Sequence, residues 1–462
     1  MKGQIVPFVL MTLAAGCATT RPDRAFDDLR RNVEPRAGAR LHWDRGGPKD
    51  DEMEKRIRAA IASEMTVDAA VEIALVRNKS LQAIYERLGV AQADLVDAGK
   101  LPNPRIGAGI LFPSRSGTGP STRFSVTESF LELFMIPLRT RLATRELERE
   151  KAAVGAEVLD LVARVRSAWY EAVADQQRVR MRGQVRDAFQ ATAELIQEQD
   201  RAGNVAEYDV ALELDSYQQA RMDLSRAEAQ AFRSREQLVR LLGLWGKDVA
   251  IKLPETLPAI PEADPSLEHL ESVAIAHRLD LAAARSEVAQ VQEAYRLTKS
   301  WRYLGGLDVG IEGGNESLEN SRVLGPRAEI TLPIFNQGQG AVARTLAQLR
   351  RAENELEAKS VDVRSEVRVE RDRLSRARAT VTWDAKVLIP LRQRIVALAQ
   401  QRYNGMFLGV FELVRARQNE IDTVQDFIDA NRDYWMARAD LERAVGGPLE
   451  EKNPGSKEGA AQ

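Results

Sequence analysis

The sequence predicts a mainly α-helical fold with a small transmembrane β portion, built from an internal duplication. Three observations carry this. Two halves of the chain repeat the same order of features. Each half holds a pair of alternating, strand-like segments separated by a Gly- and Ser-bearing turn. Each pair is followed by a helical run of roughly 60 residues, far longer than a globular domain uses.

Composition narrows the function before any motif does. The 462 residues are 44% hydrophobic and 29% charged, enough apolar material for a sizeable core and too much for a disordered chain. Lys plus Arg (66) nearly cancels Asp plus Glu (68), which argues against a nucleic-acid binder. The three histidines, His42, His269 and His277, form no ligand cluster, and the lone Cys17 allows neither an intrachain disulfide nor a multi-thiolate metal site. No catalytic motif is recognisable, so neither an enzyme nor a cofactor is expected. Paired carboxylates on the long helices read as a solvated face.

The chain opens MKGQIVPFVLMTLAAGCATT. Lys2 supplies a positive start and Ile5 to Leu13 is mostly apolar, too short to span a bilayer as a helix. Residues 1–16 therefore read as a secretory signal. Leu13-Ala14-Ala15-Gly16-Cys17 resembles a bacterial lipoprotein processing site, which implies cleavage before Cys17 and its acylation; Ala18 in the next place implies sorting to the outer membrane. Residues 17–63, rich in charge and with Pro22, Pro35 and Pro48, are expected to be an extended, lipid-anchored arm.

The first repeat is 64–246 and the second 267–447. Between them, 247–266 carries Pro254, Pro258, Pro261 and Pro265 and is expected to be a linker, because that spacing forbids a continuous helix. Residues 448–462 read as a disordered tail. Each repeat begins with a helical stretch, and Ala74 to Asn78 corresponds to Ala274 to Arg278. His277 is thereby placed at a helix surface or turn. The period then changes to two: Ile106–Phe112 and Arg123–Ser129 in the first repeat, Leu307–Gly313 and Arg327–Phe335 in the second, with turns at 113–121 and 314–326. These strands approach the 9–11 residues of a tilted membrane-spanning strand. Long helices follow over about 138–200 and about 338–402. Leu159, Val162, Trp169 and Val173 mark an apolar stripe in the first; Leu391, Ile395 and Leu398 mark one in the second, where Pro390 is expected to kink the helix. The long runs stop at Gly203 and Gly405, and a closing helix ends each repeat. Gly203 to Gly243 is 40 residues and Gly405 to Gly446 is 41, the odd residue falling in the second turn.

At 1.5 Å per residue, about 63 residues give a helix of about 95 Å, and two helices of about 35 residues stacked end to end match it. That is the scale of a periplasm. Four strands cannot enclose a pore, and open sheet edges are not viable in lipid. Three copies give twelve strands and an aqueous lumen, whereas two give eight and a filled interior. A homotrimer is the expectation.

This order of features resembles the TolC family of outer membrane efflux channels, in its lipoprotein, NodT-like branch. The residues that carry the resemblance are ALVRNKSLQA at 74–83, KLPNPRIGAGI at 100–110, FLELFMIPLRTRLATRELE at 130–148, ITLPIFNQGQ at 330–339, the segment 411–446, and the turn glycines Gly203 and Gly405. It implies a trimeric tunnel, a β-barrel in the outer membrane continued by a helical barrel through the periplasm. It also implies partners: a periplasmic adaptor and an inner membrane pump, for which the 411–446 segment points to the resistance-nodulation-division type. Drugs, metal ions or other toxic compounds would be the cargo. A periplasmic coiled-coil scaffold without channel activity is the alternative, one that leaves the four strands unused. In the resembling family, acidic rings and salt bridges hold the helical tips shut. Here Asp200, Glu207, Asp209 and Glu412 flank the two turns and are the candidates for a periplasmic aperture.

Overall fold

The computed structural model describes residues 23–112, 119–262, 266–303, 306–316 and 321–449. The signal segment, Cys17 and the tail from 450 lie outside them. The chain divides into two compact units, the first formed by residues up to Leu29, Tyr85–Val154 and Asp280–Lys359, the second by Arg30–Ile84, Gly155–Leu279 and Ser360 onward. Among the described residues, no helix is long and apolar enough to cross a membrane.

The arm is not extended. It holds two helices, α1 (Asp23–Ala37) and α2 (Pro48–Ala62). The overlooked signal is a four-residue spacing, Ala25, Leu29, Val33 and Ala37, with every member buried. Pro35 sits in the last turn of α1, and Pro48 opens α2 at its first position, where its missing N–H costs nothing.

In the first unit a four-stranded antiparallel sheet runs in the order β1 (Arg105–Leu111), β2 (Ser121–Ser129), β3 (Leu307–Glu316), β4 (Ser321–Ile330). Both strand pairs are therefore neighbours, one from each repeat. The fourth strand lies earlier than expected. It ends at Ile330, and Thr331 to Gly338 forms a turn containing Pro333, which cannot donate to a ladder. The same unit holds Arg87 on Glu150 at 2.7 Å, Lys151 on Asp28 at 2.8 Å, and Phe26 edge-on to the buried Tyr85.

Each repeat's opening helical stretch is broken into two, and both breaks lie in the second unit. In the first repeat these are α3 (Val67–Arg77) and α4 (Lys79–Ala98); in the second, α7 (Leu270–His277) and α8 (Leu279–Trp301). Asn78 makes the first break. Its Oδ1 accepts from the Leu81 amide at 3.0 Å, as an N-cap does, and its Nδ2 donates to the Leu241 carbonyl at 2.9 Å. At the second break the Arg278 guanidinium donates to the Ala444 carbonyl at 3.1 Å and pairs with Glu366. His277 ends α7, exposed, and its carbonyl accepts from Arg36.

The first long helix, α5 (Phe130–Arg201), starts eight residues before the expected 138 and passes through Pro137. Val162, Trp169 and Val173 are buried as expected, but so are Val154, Val158, Leu161, Val165 and Ala172. This stretch is enclosed on nearly every side, with Trp169 Nε1 donating to the Met65 carbonyl at 3.0 Å. After α6 (Glu207–Leu242), the linker adheres to the unit and does not hang free. Ile251, Leu253 and Leu257 are buried, and the Pro258 carbonyl accepts from Trp435 Nε1 at 3.0 Å. The second long run is α9 (Gln339–Trp383), a π-helical turn over Asp384–Leu388, and α10 (Ile389–Asn404), followed by α11 (Val410–Val445). The π turn lies immediately before Pro390. That proline has no N–H for the Lys386 carbonyl, and the Ile389 amide instead reaches Asp384, five residues back. Leu391, Ile395 and Leu398 remain exposed.

Candidate functional site

The four strands sort most of their side chains by face, the exceptions lying near strand ends: Glu128 and Arg322 on the mainly apolar face, Leu111 and Val323 on the other. Pairing of Ile106 with Val126, Val126 with Ile311 and Ile311 with Pro326 defines one face. Alternation adds Ala108, Ile110, Phe124, Val309, Leu324, Ala328 and Ile330 to it. The opposite face carries Arg105, Arg123, Ser125, Thr127, Asp308, Glu312, Arg327 and Glu329. Arg327 bonds Glu312 at 3.3 Å and Glu329 at 3.0 Å across it. A Cβ at Gly310 would stand 2.2 Å from the Val126 carbonyl oxygen, so only glycine fits there. The apolar face is bare: Ile106 is 71% exposed and Leu324 79%. An apolar band on one side and charges on the other is the alternation of a transmembrane barrel. Among the described residues, β1 and β4 each keep one edge without a partner.

The helical turns hold the other candidates, all in the second unit. Gly203, at φ +74°, closes α5: its amide donates to the Asp200 carbonyl at 2.8 Å, and the Asn204 amide to the Gln199 carbonyl at 3.0 Å. This is a Schellman cap with glycine in the left-handed position. The second turn has the same pair of bonds, from Met406 to Tyr403 at 2.9 Å and from Phe407 to Arg402 at 2.8 Å. Here the left-handed residue is Met406, at φ +61°, and Gly405 is at an ordinary φ of −85°. Gly405 is thus not the counterpart of Gly203. With Met406 in that role the spacing anomaly vanishes, since Gly203 to Gly243 and Met406 to Gly446 are both 40 residues.

The four aperture candidates fall around these turns without contacting one another in any described hydrogen bond or ion pair. Asp200 is exposed in the last turn of α5. Glu207 is exposed at the first position of α6, and Asp209 is half-buried at the third. Glu412 is exposed at the third position of α11, folded back towards Gly409. Acids in a first turn complement the helix dipole, which accounts for three of the four.

Charged residues that sequence reasoning passed over lie further up these helices. Arg178 of α5 pairs with the buried Asp175 and with Asp429 of α11, and Arg182 donates to Gln425. A groove of about 360 Å³ lined by Phe189, Asp215, Asp223, Arg415 and Asp422 lies alongside. Glu213 on α6 is 3% exposed, its Oε2 has no partner, and burial raises its carboxyl above the usual range. Burial also raises Asp384, with Asp426 adding to the effect. Spacing in sequence gives no hint of the Arg178–Asp429 pairing, because it joins residues 251 apart. Glu213 was legible, since it shares a seven-residue spacing with the buried Ala220, Ala227 and Ser234. Among the described residues, no three His, Cys, Asp or Glu side chains gather as metal ligands.

A four-stranded sheet with one apolar and one charged face, in a chain of very long helices, is a fold shared with outer membrane channels. Residues 270–447, the second repeat, match the family model of outer membrane efflux proteins. Over 383 residues it is 24% identical to the cobalt-zinc-cadmium resistance protein CzcC of Cupriavidus metallidurans, covering 82% of this chain and 85% of that protein. Its fold matches a membrane protein from Pseudomonas aeruginosa at a TM-score of 0.72 and 19% identity, over 82% of this chain and 92% of that one. It also matches the open state of the MtrE outer membrane channel of Neisseria gonorrhoeae, at 0.66 and 18% identity, over 83% and 89%. The first of these structures is of a membrane protein and the second of an outer membrane channel.

Proposed function

We propose that this chain is the passive exit duct of a tripartite efflux system, anchored in the outer membrane through acylated Cys17. The observation that carries the reading is the sheet. It has a bare apolar face, a charged opposite face and two open edges, which in lipid require completion by other copies. Three copies give a twelve-stranded barrel with room for water. The exposed Leu391, Ile395 and Leu398 supply further apolar surface for assembly. A coiled-coil scaffold has no use for such a sheet.

The turns at Gly203 and Met406 would meet the periplasmic adaptor, with a resistance-nodulation-division pump behind it. Met406 is 94% exposed and Phe407 79%, an apolar point suited to a protein partner. Asp200, Glu207, Asp209 and Glu412 would form the acidic constriction at that end. The likeness to a cobalt-zinc-cadmium resistance protein favours divalent metal ions among the cargoes.

Native mass spectrometry and single-channel recording of the detergent-extracted protein test the duct. A trimer with a stable conductance is expected, and a conducting monomer or a non-conducting trimer would overturn it. Cys17→Ala should abolish lipid labelling. Neutralising the four acids should alter block by multivalent cations. Deletion should sensitise cells to a toxic ion or compound.

A further inference from the structure

The π turn opens onto a groove of about 780 Å³ between it, α9 and α11, lined by five aspartates, Asp372, Asp384, Asp426, Asp429 and Asp433, against Arg373 and Arg376. The arginines are already taken. Arg376 holds Asp372 at 2.6 Å, and Arg373 holds Asp440 at 2.9 Å. Arg432 reaches Asp429 at 3.2 Å and Asp433 at 2.8 Å, and Arg178 also holds Asp429. Two carboxylates remain, with no ion-pair or hydrogen-bond partner among the described residues. One is Asp426, exposed on α11. The other is Asp384 in the π turn, only 5% exposed and lining the groove. A largely enclosed carboxylate that opens only to a groove and has no protein partner favours a counter-charge or a proton. A proton on Asp384 would leave Asp426, a surface acid, still charged beside it. A dication offsets both at once.

We propose that Asp384 and Asp426 together bind one hydrated, hard divalent cation of the Mg²⁺, Ca²⁺ or Mn²⁺ class, tying the π turn to α11. The donor set decides the class: the groove offers carboxylate oxygens and no imidazole or thiolate, which disfavours the softer metals. With no third side-chain ligand gathered there among the described residues, the ion keeps most of its water, as Mg²⁺ commonly does. The site is separate from the turn acids and independent of what the duct exports.

The test uses Mn²⁺ as probe on the detergent-solubilised full chain, with free Mn²⁺ read by electron paramagnetic resonance. One saturable site per chain is expected, displaced by Mg²⁺ or Ca²⁺. Asp384→Asn and Asp426→Asn should each weaken it at least about tenfold, the range of losing one charged ligand. Asp209→Asn should leave it intact. Mn²⁺ should also quench Trp383, the residue before Asp384, and Trp383→Phe should remove that part of the signal. If Asp384→Asn perturbs folding, Asp426→Asn on the surface still decides. Absence of a saturable site, unchanged binding in both variants, or displacement by Zn²⁺ but not by Mg²⁺ or Ca²⁺ would each overturn the proposal.

Discussion

Met406 occupies in the second repeat the left-handed cap position that Gly203 occupies in the first, with the same two backbone hydrogen bonds closing each helix. A methionine at positive φ carries a steric cost that glycine does not. Met406→Gly should therefore raise stability, by up to about 1 kcal/mol, and Gly203→Ala should lower it by a similar amount. Thermal unfolding, with hydrogen exchange read at the two turns, checks both. If Met406 is retained for contact with an adaptor, Met406→Gly should at the same time weaken capture of that partner.

Asn78 joins two helices with one side chain. It caps α4 through Leu81 and holds the end of α6 through Leu241. Asn78→Ala removes both bonds and should cost about 1–2 kcal/mol, whereas Asn78→Asp keeps the cap and should lose only the bond to the carbonyl. Chemical denaturation of the three proteins separates the two contributions.

The parts of this fold legible in the sequence are those written in local spacing. Alternation at Ile106, Ala108 and Ile110 marks a strand, and four prolines mark a break, without knowledge of the rest of the chain. Tertiary contacts overrode other local signs. Pro35 and a run of charges read as an extended arm, yet Leu29 and Val33 are buried in a helix. The first long helix is expected from about 138, yet α5 begins at Phe130 and runs through Pro137. Gly405 was the obvious breaker, and the backbone places its left-handed residue one position later. The turn acids were found because they lie beside visible breakers. Asp384 was not, because only burial in the folded chain distinguishes it from any other surface aspartate.

Glu213 gives a pH prediction. Its carboxyl is buried in the seam of α6 with Ala220 and Ala227, and burial raises its pKa above the unfolded value. The folded state therefore holds a proton that the unfolded state releases. This stabilising contribution is complete below the unfolded carboxylate range and is lost as pH rises through the folded pKa. Glu213→Gln, which stays neutral, should flatten the fall in stability above pH 5 and melt higher than the parent at pH 8. Melts across that range decide it, and parallel curves for the two proteins would show that Glu213 does not titrate in its buried place.

The sheet gives the sharpest contrast, because two neighbouring positions on β3 and β4 point to opposite faces. Ile311 is on the apolar face, 57% exposed, flanked by Val126 and Pro326. Gly325 is on the polar face opposite Glu312, and a Cβ there would meet nothing within 4 Å. An arginine on the lipid side of a barrel costs about 2–4 kcal/mol at mid-membrane, and a trimer would meet that cost three times. Ile311→Arg should therefore abolish assembly into heat-resistant oligomers in the membrane fraction. Gly325→Arg adds the same charge in open space beside a carboxylate. It should assemble normally and change only conductance and ion preference, because on that side the charge faces water. Equal assembly of the two variants would mean that the apolar face does not meet lipid.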